Sequence, residues 1–321
     1  MNASSTVVSV MDIGGTHVSA ANVEVETWRI LPGQSFREPL DADGSAEEIL
    51  STLVRCASCL PTRPARRWAV ALPGPFDYEL GIGRYQGVGK FDALLGFDLR
   101  TALTPLLPGA VGVSFHHDAD AFVLGEWWAG AARGHRCNVG ITLGTGVGSG
   151  FVRDGHIVRH GPGVPPEGRV DLLHYAGAPL EETVSRRAIR RAYARATGEP
   201  SATDVREIAQ RARQGDRAAV DVFTRTFRAL GTAIGPHLVA FEATVLVVGG
   251  SIAASWDLVA GPLRAGLDDA EPRRTTSIAV EPALHLAEAA LLGAAYLATG
   301  TKLELAWTEG AGVDGADRRR D

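Results

Sequence analysis

The sequence predicts an α/β protein built from two related halves. Short, apolar, β-branched runs alternate with longer segments of helical period. Two of these runs, at residues 6–10 and 138–143, lead straight into glycine-rich bends and return as second apolar runs. A third, at 244–248, is apolar throughout, as a strand covered on both faces must be, and it too stops at glycines. With 321 residues, 45% of them hydrophobic and 21% charged, the chain can fill two cores.

In order, residues 6–10 form a strand that turns at Gly14-Gly15 and returns through 19–23. Ser45-Ala46-Glu47-Glu48 is a capping box opening a helix whose apolar face is Ile49, Leu50, Leu53 and Val54. Residues 68–72 are the next strand, stopped by Pro73-Gly74-Pro75, and a glycine-rich loop covers 77–89. Residues 99–103 read as helical. The run VGVSF at 111–115 is a strand, followed by the polar cluster His116-His117-Asp118-Ala119-Asp120 and a helix over 121–134.

The second half opens with 138–143, a glycine loop and 150–152, and Asp154-Gly155 turns into 156–158. After a loop at 161–168, helices are expected over 180–197, 203–214 and 216–240. The strand at 244–248 ends at Gly249-Gly250, with Ser251 as an N-cap. A strand at 278–280 and a helix at 287–298 follow, and 310–321 is glycine- and charge-rich, read as a disordered tail.

Composition excludes several classes. The net charge is −5, and the longest basic run is Arg318-Arg319-Arg320, so no nucleic-acid face is expected. The start MNASSTVVSVMD lacks a cationic segment and contains Asp12, unlike a signal peptide. No apolar run reaches the ~18 residues of a membrane helix. Three cysteines suit a reducing compartment better than a disulfide framework. A cytoplasmic protein is expected. Cys56-Ala57-Ser58-Cys59 has no second Cys/His pair nearby and reads as helix packing; Trp127-Trp128 reads the same way.

Four stretches carry candidate chemistry. At Asp12-Ile13-Gly14-Gly15-Thr16-His17, glycines let amides and a hydroxyl point at a phosphate, and the acid can hold hydrated Mg²⁺. A plain tight turn would look similar. The loop Leu143-Gly144-Thr145-Gly146-Val147-Gly148-Ser149-Gly150 has more glycine than a hairpin needs, which fits close approach of a ligand. It is not a dinucleotide fingerprint, since Phe151 continues a strand, and it lacks the Gly-Lys-Ser/Thr of a Walker loop. Asp118, directly after a strand, could take the proton of a substrate hydroxyl; it or Asp120 could equally cap the following helix. Gly249-Gly250-Ser251 forms a strand-to-helix turn where a nucleoside could lie, although such turns are common without a ligand.

Taken in order, Asp12-Ile13-Gly14-Gly15-Thr16, Pro73-Gly74-Pro75, His117-Asp118-Ala119-Asp120-Ala121 with Leu124-Gly125-Glu126, the loop at 143–148, Glu167-Gly168 and Gly249-Gly250 resemble the ROK family (repressor, open reading frame, kinase). Its kinase members include bacterial glucokinases, and the resemblance spans residues 6–300. It implies the two-domain actin-like ATPase (ribonuclease H-like) fold, with an interdomain cleft closing over ATP-Mg²⁺ and a hexose. The domains would be residues 1–115, completed by a helix at 286–300, and residues 116–285.

By this resemblance Asp118 is the base acting on the sugar 6-hydroxyl. Gly14, Gly15, Thr16 and His17, with Gly144, Thr145, Gly146 and Gly148, hold the phosphates. Gly249, Gly250 and Ser251 contact the nucleoside, and Asp12 holds Mg²⁺ through water. Gly74, His117, Asp118, Asp120, Glu167, Arg169 and Glu181 line the sugar site. A homodimer is the family expectation.

The sequence also departs from the family. His117-Asp118-Ala119-Asp120 stands where Asn-Asp-Ala-Asn is usual, and Glu167-Gly168-Arg169 leads into no cysteine cluster, so no zinc site is expected. The family's sugar-binding histidine has Arg169 as its nearest counterpart. About five residues precede the first strand, leaving no room for a helix-turn-helix domain. The expected activity is ATP-dependent transfer of the γ-phosphoryl group to the 6-hydroxyl of glucose or a glucose-configured amino sugar such as kanosamine, the latter because Asp120 adds an acid that an ammonium group would satisfy. A non-catalytic sugar or nucleotide sensor is the alternative.

Overall fold

A computed structural model describes residues 6–62, 66–198 and 203–299. The proposed tail at 310–321 lies outside them. Two five-stranded sheets form the frame, and each has the same plan of three antiparallel strands followed by two parallel ones.

In the first sheet, β1 (Val7–Ile13) pairs antiparallel with β2 (His17–Glu24), and β2 pairs antiparallel with the edge strand β3 (Arg29–Pro39). After α1 (Ala46–Ser58), β4 (Arg66–Leu72) runs parallel to β1. The expected capping box is present, with Ser45 and Glu48 bonding each other's backbone. A small hairpin, β5 (Phe76–Asp77) and β6 (Ile82–Gly83), and the short α2 (Leu99–Leu103) lead to β7 (Ala110–His117), parallel to β4.

α3 (Asp118–Ala129) carries the chain to the second sheet, made of β8 (Cys137–Leu143), β9 (Val147–Arg153) and β10 (His156–Ile157). A two-stranded ribbon, β11 (His174–Tyr175) and β12 (Ala178–Pro179), precedes helices α4 (Glu181–Val184), α5 (Arg186–Thr197), α6 (Val205–Arg213) and α7 (Arg217–Phe241). β13 (Val245–Gly249) runs parallel to β8, α8 (Trp256–Ala270) packs along α7, β14 (Ala279–Pro282) completes the sheet, and α9 (Ala289–Thr299) ends the described chain.

Most expected elements recur with shifted ends. The helix expected over 180–197 is broken at Ser185, which is extended and caps α5 through the Ala188 amide. Ser251 caps nothing: a turn and a single 3₁₀ segment follow Gly250, and α8 begins only at Trp256. β3 had no expected counterpart, because Pro32 and Gly33 interrupt its apolar alternation. An edge strand tolerates both. Cys56 is buried in the core and Cys59 is exposed at the end of α1.

The two sheets meet through α3 and α9. α9 packs on β1, β2 and β4, while α3 lies against α9 and against β8 and β9. The two helices cross with backbones in contact, since a Cβ on Gly125 would collide with the Ala289 carbonyl and one on Gly293 with that of Ala121. Glu126 is fully buried there and accepts from the amides of Ala131, Leu284 and His285 at 2.8, 3.0 and 2.8 Å. Trp28, Trp127, Trp128 and Tyr296 pack at the far end of α3, with Trp28 and Trp128 4.8 Å apart. No helix of the described residues is long and apolar enough to cross a membrane.

Candidate active site

The parallel strands of the first sheet end at one edge. Register pairs Asp12 with Ala71, Ala71 with His116, and Leu72 with His117. The loops after β1, β4 and β7 therefore leave side by side, the position where α/β sheets bind ligands. Gly14 closes its turn by donating to the His17 carbonyl at 2.8 Å, and Thr16 and His17 stand exposed at its tip, bonded to each other. The Pro73-Gly74-Pro75 loop is held from behind by two tyrosines: Tyr85 donates to the Pro73 carbonyl at 2.7 Å and Tyr78 to that of Leu72 at 3.1 Å. The Gly74-Pro75 peptide is cis.

Asp118 begins α3, accepts from the Ala119 amide at 2.8 Å, and keeps about a third of its side chain exposed (34%). Asp12 faces it. Burial, and then the Asp118 charge, push the Asp12 carboxyl up to about 7, against the opposing pull of Arg37. A carboxyl raised by burial beside a second acid is one that a dication would relieve, so Asp12 fits a hydrated Mg²⁺.

Asp120 is different from what its position in the sequence suggested. It is buried, forms an ion pair with Arg159 from beyond β10, and lies 3.8 Å from the His117 ring. Its charge is therefore already met by Arg159, which leaves no free acid to select an ammonium group. It is not the helix cap either: the N-cap is His117, which makes no side-chain capping bond. His117 sits between Asp118 (3.5 Å) and Asp120. Burial opposes its protonation, but the bond to Asp120 and both carboxylate charges outweigh this, so its pKa is raised. Half-buried His116 is pushed the other way, down to about 4, by desolvation, and shares a 2.9 Å bond with Ser114.

Across the cleft the second sheet repeats the plan, with Gly249 in register with Thr142. The tip at Thr145 is exposed, Gly144 donates to the Gly146 carbonyl at 3.0 Å, and Arg186 of α5 donates its amide to the Gly144 carbonyl at 2.9 Å. Gly250, at φ +85°, lies against Leu143 so closely that a Cβ would collide with its backbone. Ser251 accepts from the Arg186 guanidinium at 3.4 Å.

The glycines of this region have two different reasons. Only Gly144 and Gly146 border open space, near Ser251 and the Glu181 carboxylate respectively. A Cβ on Gly148 would collide with the Thr142 hydroxyl of β8 and crowd Ala119, one on Gly150 would meet Val123 of α3, and Gly249 is closed off by the Phe122 ring. Much of the glycine excess is thus helix packing.

Ser149 connects the loop to the next candidates, donating to the Gly168 carbonyl at 2.6 Å and accepting from the Val170 amide at 2.9 Å. This fixes Glu167, at φ +57°, and Arg169 beside the cleft. Arg169 is paired with buried Asp171 at 2.6 Å and feels the charges of Glu167 and Glu181. Glu181 opens α4; burial and Asp171 raise its carboxyl, while Arg187 and Lys90 hold it down. Asp171, Arg159, Arg37, Tyr78, Tyr85 and Lys90 were not anticipated as site residues; none stands in a motif that announces it.

The pattern that defines the ROK family matches residues 8–301. The chain belongs to the ROK family. It is 30% identical over 310 residues to a glucokinase of Thermotoga maritima, covering 89% of this chain and 95% of that one. An N-acetyl-D-glucosamine kinase of Pectobacterium carotovorum is 26% identical over 261 residues, covering 75% of this chain and 82% of the other. Among solved structures, the ROK family glucokinase of Streptomyces griseus, in complex with glucose and AMPPNP, superposes with a TM-score of 0.75 at 25% identity, over 91% of this chain and 99% of the other. The architecture is the actin-like ATPase fold of ROK sugar kinases.

Proposed function

We propose that this ROK protein is an ATP-dependent hexose kinase that phosphorylates the 6-hydroxyl of glucose or a close relative. The observation that carries the reading is Asp118, a carboxylate about one-third exposed at the start of α3, beside Asp12 and the glycine turn at 14–16. Asp118 accepts the proton of the sugar hydroxyl as that oxygen attacks the γ-phosphorus; the bond to the β,γ-bridging oxygen breaks and ADP leaves. Amides of the two turns hold the phosphates, and the turn at Gly250-Ser251 borders the nucleoside. Glu167 and Glu181 take ring hydroxyls. Asp12 would hold hydrated Mg²⁺, which neutralises phosphate charge when bound. Closure over the cleft would exclude water from Asp118.

The acceptor reading favours a neutral sugar. Arg159 satisfies Asp120, so no free acid remains there to reward the ammonium of kanosamine. The Pectobacterium relative keeps amino-sugar derivatives within the range to be tested. A non-catalytic sensor has less support, since Asp118 and both glycine turns are kept. The experiment is ADP release from Mg-ATP across glucose, mannose, N-acetylglucosamine and kanosamine. Glucose should stimulate release most. No stimulation by any sugar would replace the kinase with the sensor.

A further inference from the structure

Of the thirty-two lysine and arginine residues in this chain, only Lys90 and Lys302 are lysines, and Lys90 is the only lysine among the described residues. A chain that uses arginine almost everywhere has a lysine in the cleft. Its backbone is fixed on both sides: Gly89 and Phe91 both have positive φ, +69° and +59°. Phe91 is buried, donates its amide to the Ala42 carbonyl at 2.7 Å, and packs on Tyr85 at 5.3 Å. From this anchor the half-buried side chain runs past the first phosphate turn, its Cδ 3.9 Å from where a Cβ on Gly15 would stand.

The ammonium charge reaches the second half of the molecule. Its charge acts on the Glu181 carboxylate, whose oxygens lie 3.6 and 3.7 Å from where a Cβ on Gly146 would stand. Lys90 thus lies against the first turn, and Glu181, on which its charge acts, lies against the second. Of the other nearby cations, Arg169 is paired with Asp171, Arg187 with Glu182, and Arg186 with Asp204 and Ser251. Exposed Arg37 acts on Asp12 and His17, at the opposite side of the first turn from Glu181, on which Lys90 acts. A lysine suits this position because its compact ammonium can exchange Glu181 for a phosphoryl oxygen without the planar fit a guanidinium requires.

Resting on the kinase reading, we propose that Lys90 is a catalytic residue that binds the γ-phosphoryl group during transfer, leaving Glu181 free for the sugar. In the loose transition state charge is redistributed over the equatorial oxygens of the transferring group and onto the leaving oxygen, so a cation fitted to that arrangement acts on turnover more than on ground-state binding.

The test uses the full chain. Lys90→Met should lower kcat about a hundredfold, the typical effect of removing one donor from a developing charge, with KM for glucose and AMPPNP affinity within about threefold. Lys90→Arg, which keeps the charge, should recover about a tenth or more of the lost rate. Amine-selective labelling of the unmodified protein, read by peptide mass, should slow at Lys90 with AMPPNP and glucose present, and not with glucose alone. An unchanged kcat in Lys90→Met, a loss confined to the KM for glucose, or labelling indifferent to nucleotide would overturn the proposal. If the parent protein shows no sugar-stimulated ADP release, the kinase reading fails first, and labelling still reports whether Lys90 meets the nucleotide.

Discussion

Asp12 near the end of β1 faces Asp118 at the start of α3, and the charge on Asp118 adds to burial in pushing the Asp12 carboxyl up to about 7. A carboxyl raised this way in the folded state binds its proton more tightly than the unfolded chain does. Without metal, the Asp12 contribution to stability is therefore fully present below the ordinary aspartate range and is lost as pH rises from about 4 to about 7. Asp12→Asn cannot ionise. In metal-free buffer its thermal midpoint should gain on the parent's between pH 5 and pH 8, by a margin equivalent to on the order of 2–4 kcal/mol. A constant difference across that range would show that the two acids do not oppose each other.

Asp120 and Arg159 form the ion pair that spans from α3 to the chain beyond β10. Arg159→Ala leaves a buried carboxylate without its partner. The cost should be about 2 kcal/mol, less than the 3–5 of a fully buried pair, because Arg159 is half-exposed. Denaturant unfolding measures it. Adding Asp120→Asn to Arg159→Ala should recover most of the loss, which an effect of Arg159 packing alone would not allow.

Ser149 holds the turn that presents Glu167 and Arg169. Ser149→Ala should cost about 1 kcal/mol of stability. It should also raise the KM for sugar by about tenfold while changing kcat much less, since a loosened turn affects binding before chemistry. Steady-state kinetics on glucose separates the two.

Gly250 occupies left-handed backbone against Leu143. Gly250→Ala meets both strain and collision, so it should lower stability by at least about 2 kcal/mol. AMPPNP affinity should fall with it, because the loop at 143–146 must shift; calorimetry reads that loss directly.

The sequence made the strand–glycine–strand openings of both sheets visible, because the β-branched runs and Gly14-Gly15 leave few alternatives. It also marked Asp118 and Glu181 through the family resemblance. What stayed hidden was pairing at a distance. Nothing near Asp120 indicates that Arg159, thirty-nine positions on, neutralises it, so an extra acid looked like a specificity element. Glycine was over-read for a similar reason. Gly150 and Gly249 answer to Val123 and Phe122 of α3, and Gly148 to Thr142 of the neighbouring strand, contacts made only by the tertiary fold. β3 was missed because edge strands need no continuous apolar pattern.

The central claim is that Asp118 takes the proton of the acceptor hydroxyl. Asp118→Asn keeps the size of the side chain and the start of α3 while removing the base. Glucose-stimulated ADP release by this variant, measured beside AMPPNP binding, is the most direct check. The expected result is a fall in kcat of about a thousandfold or more, with AMPPNP affinity within about threefold of the parent. Release at the parental rate would contradict the assignment.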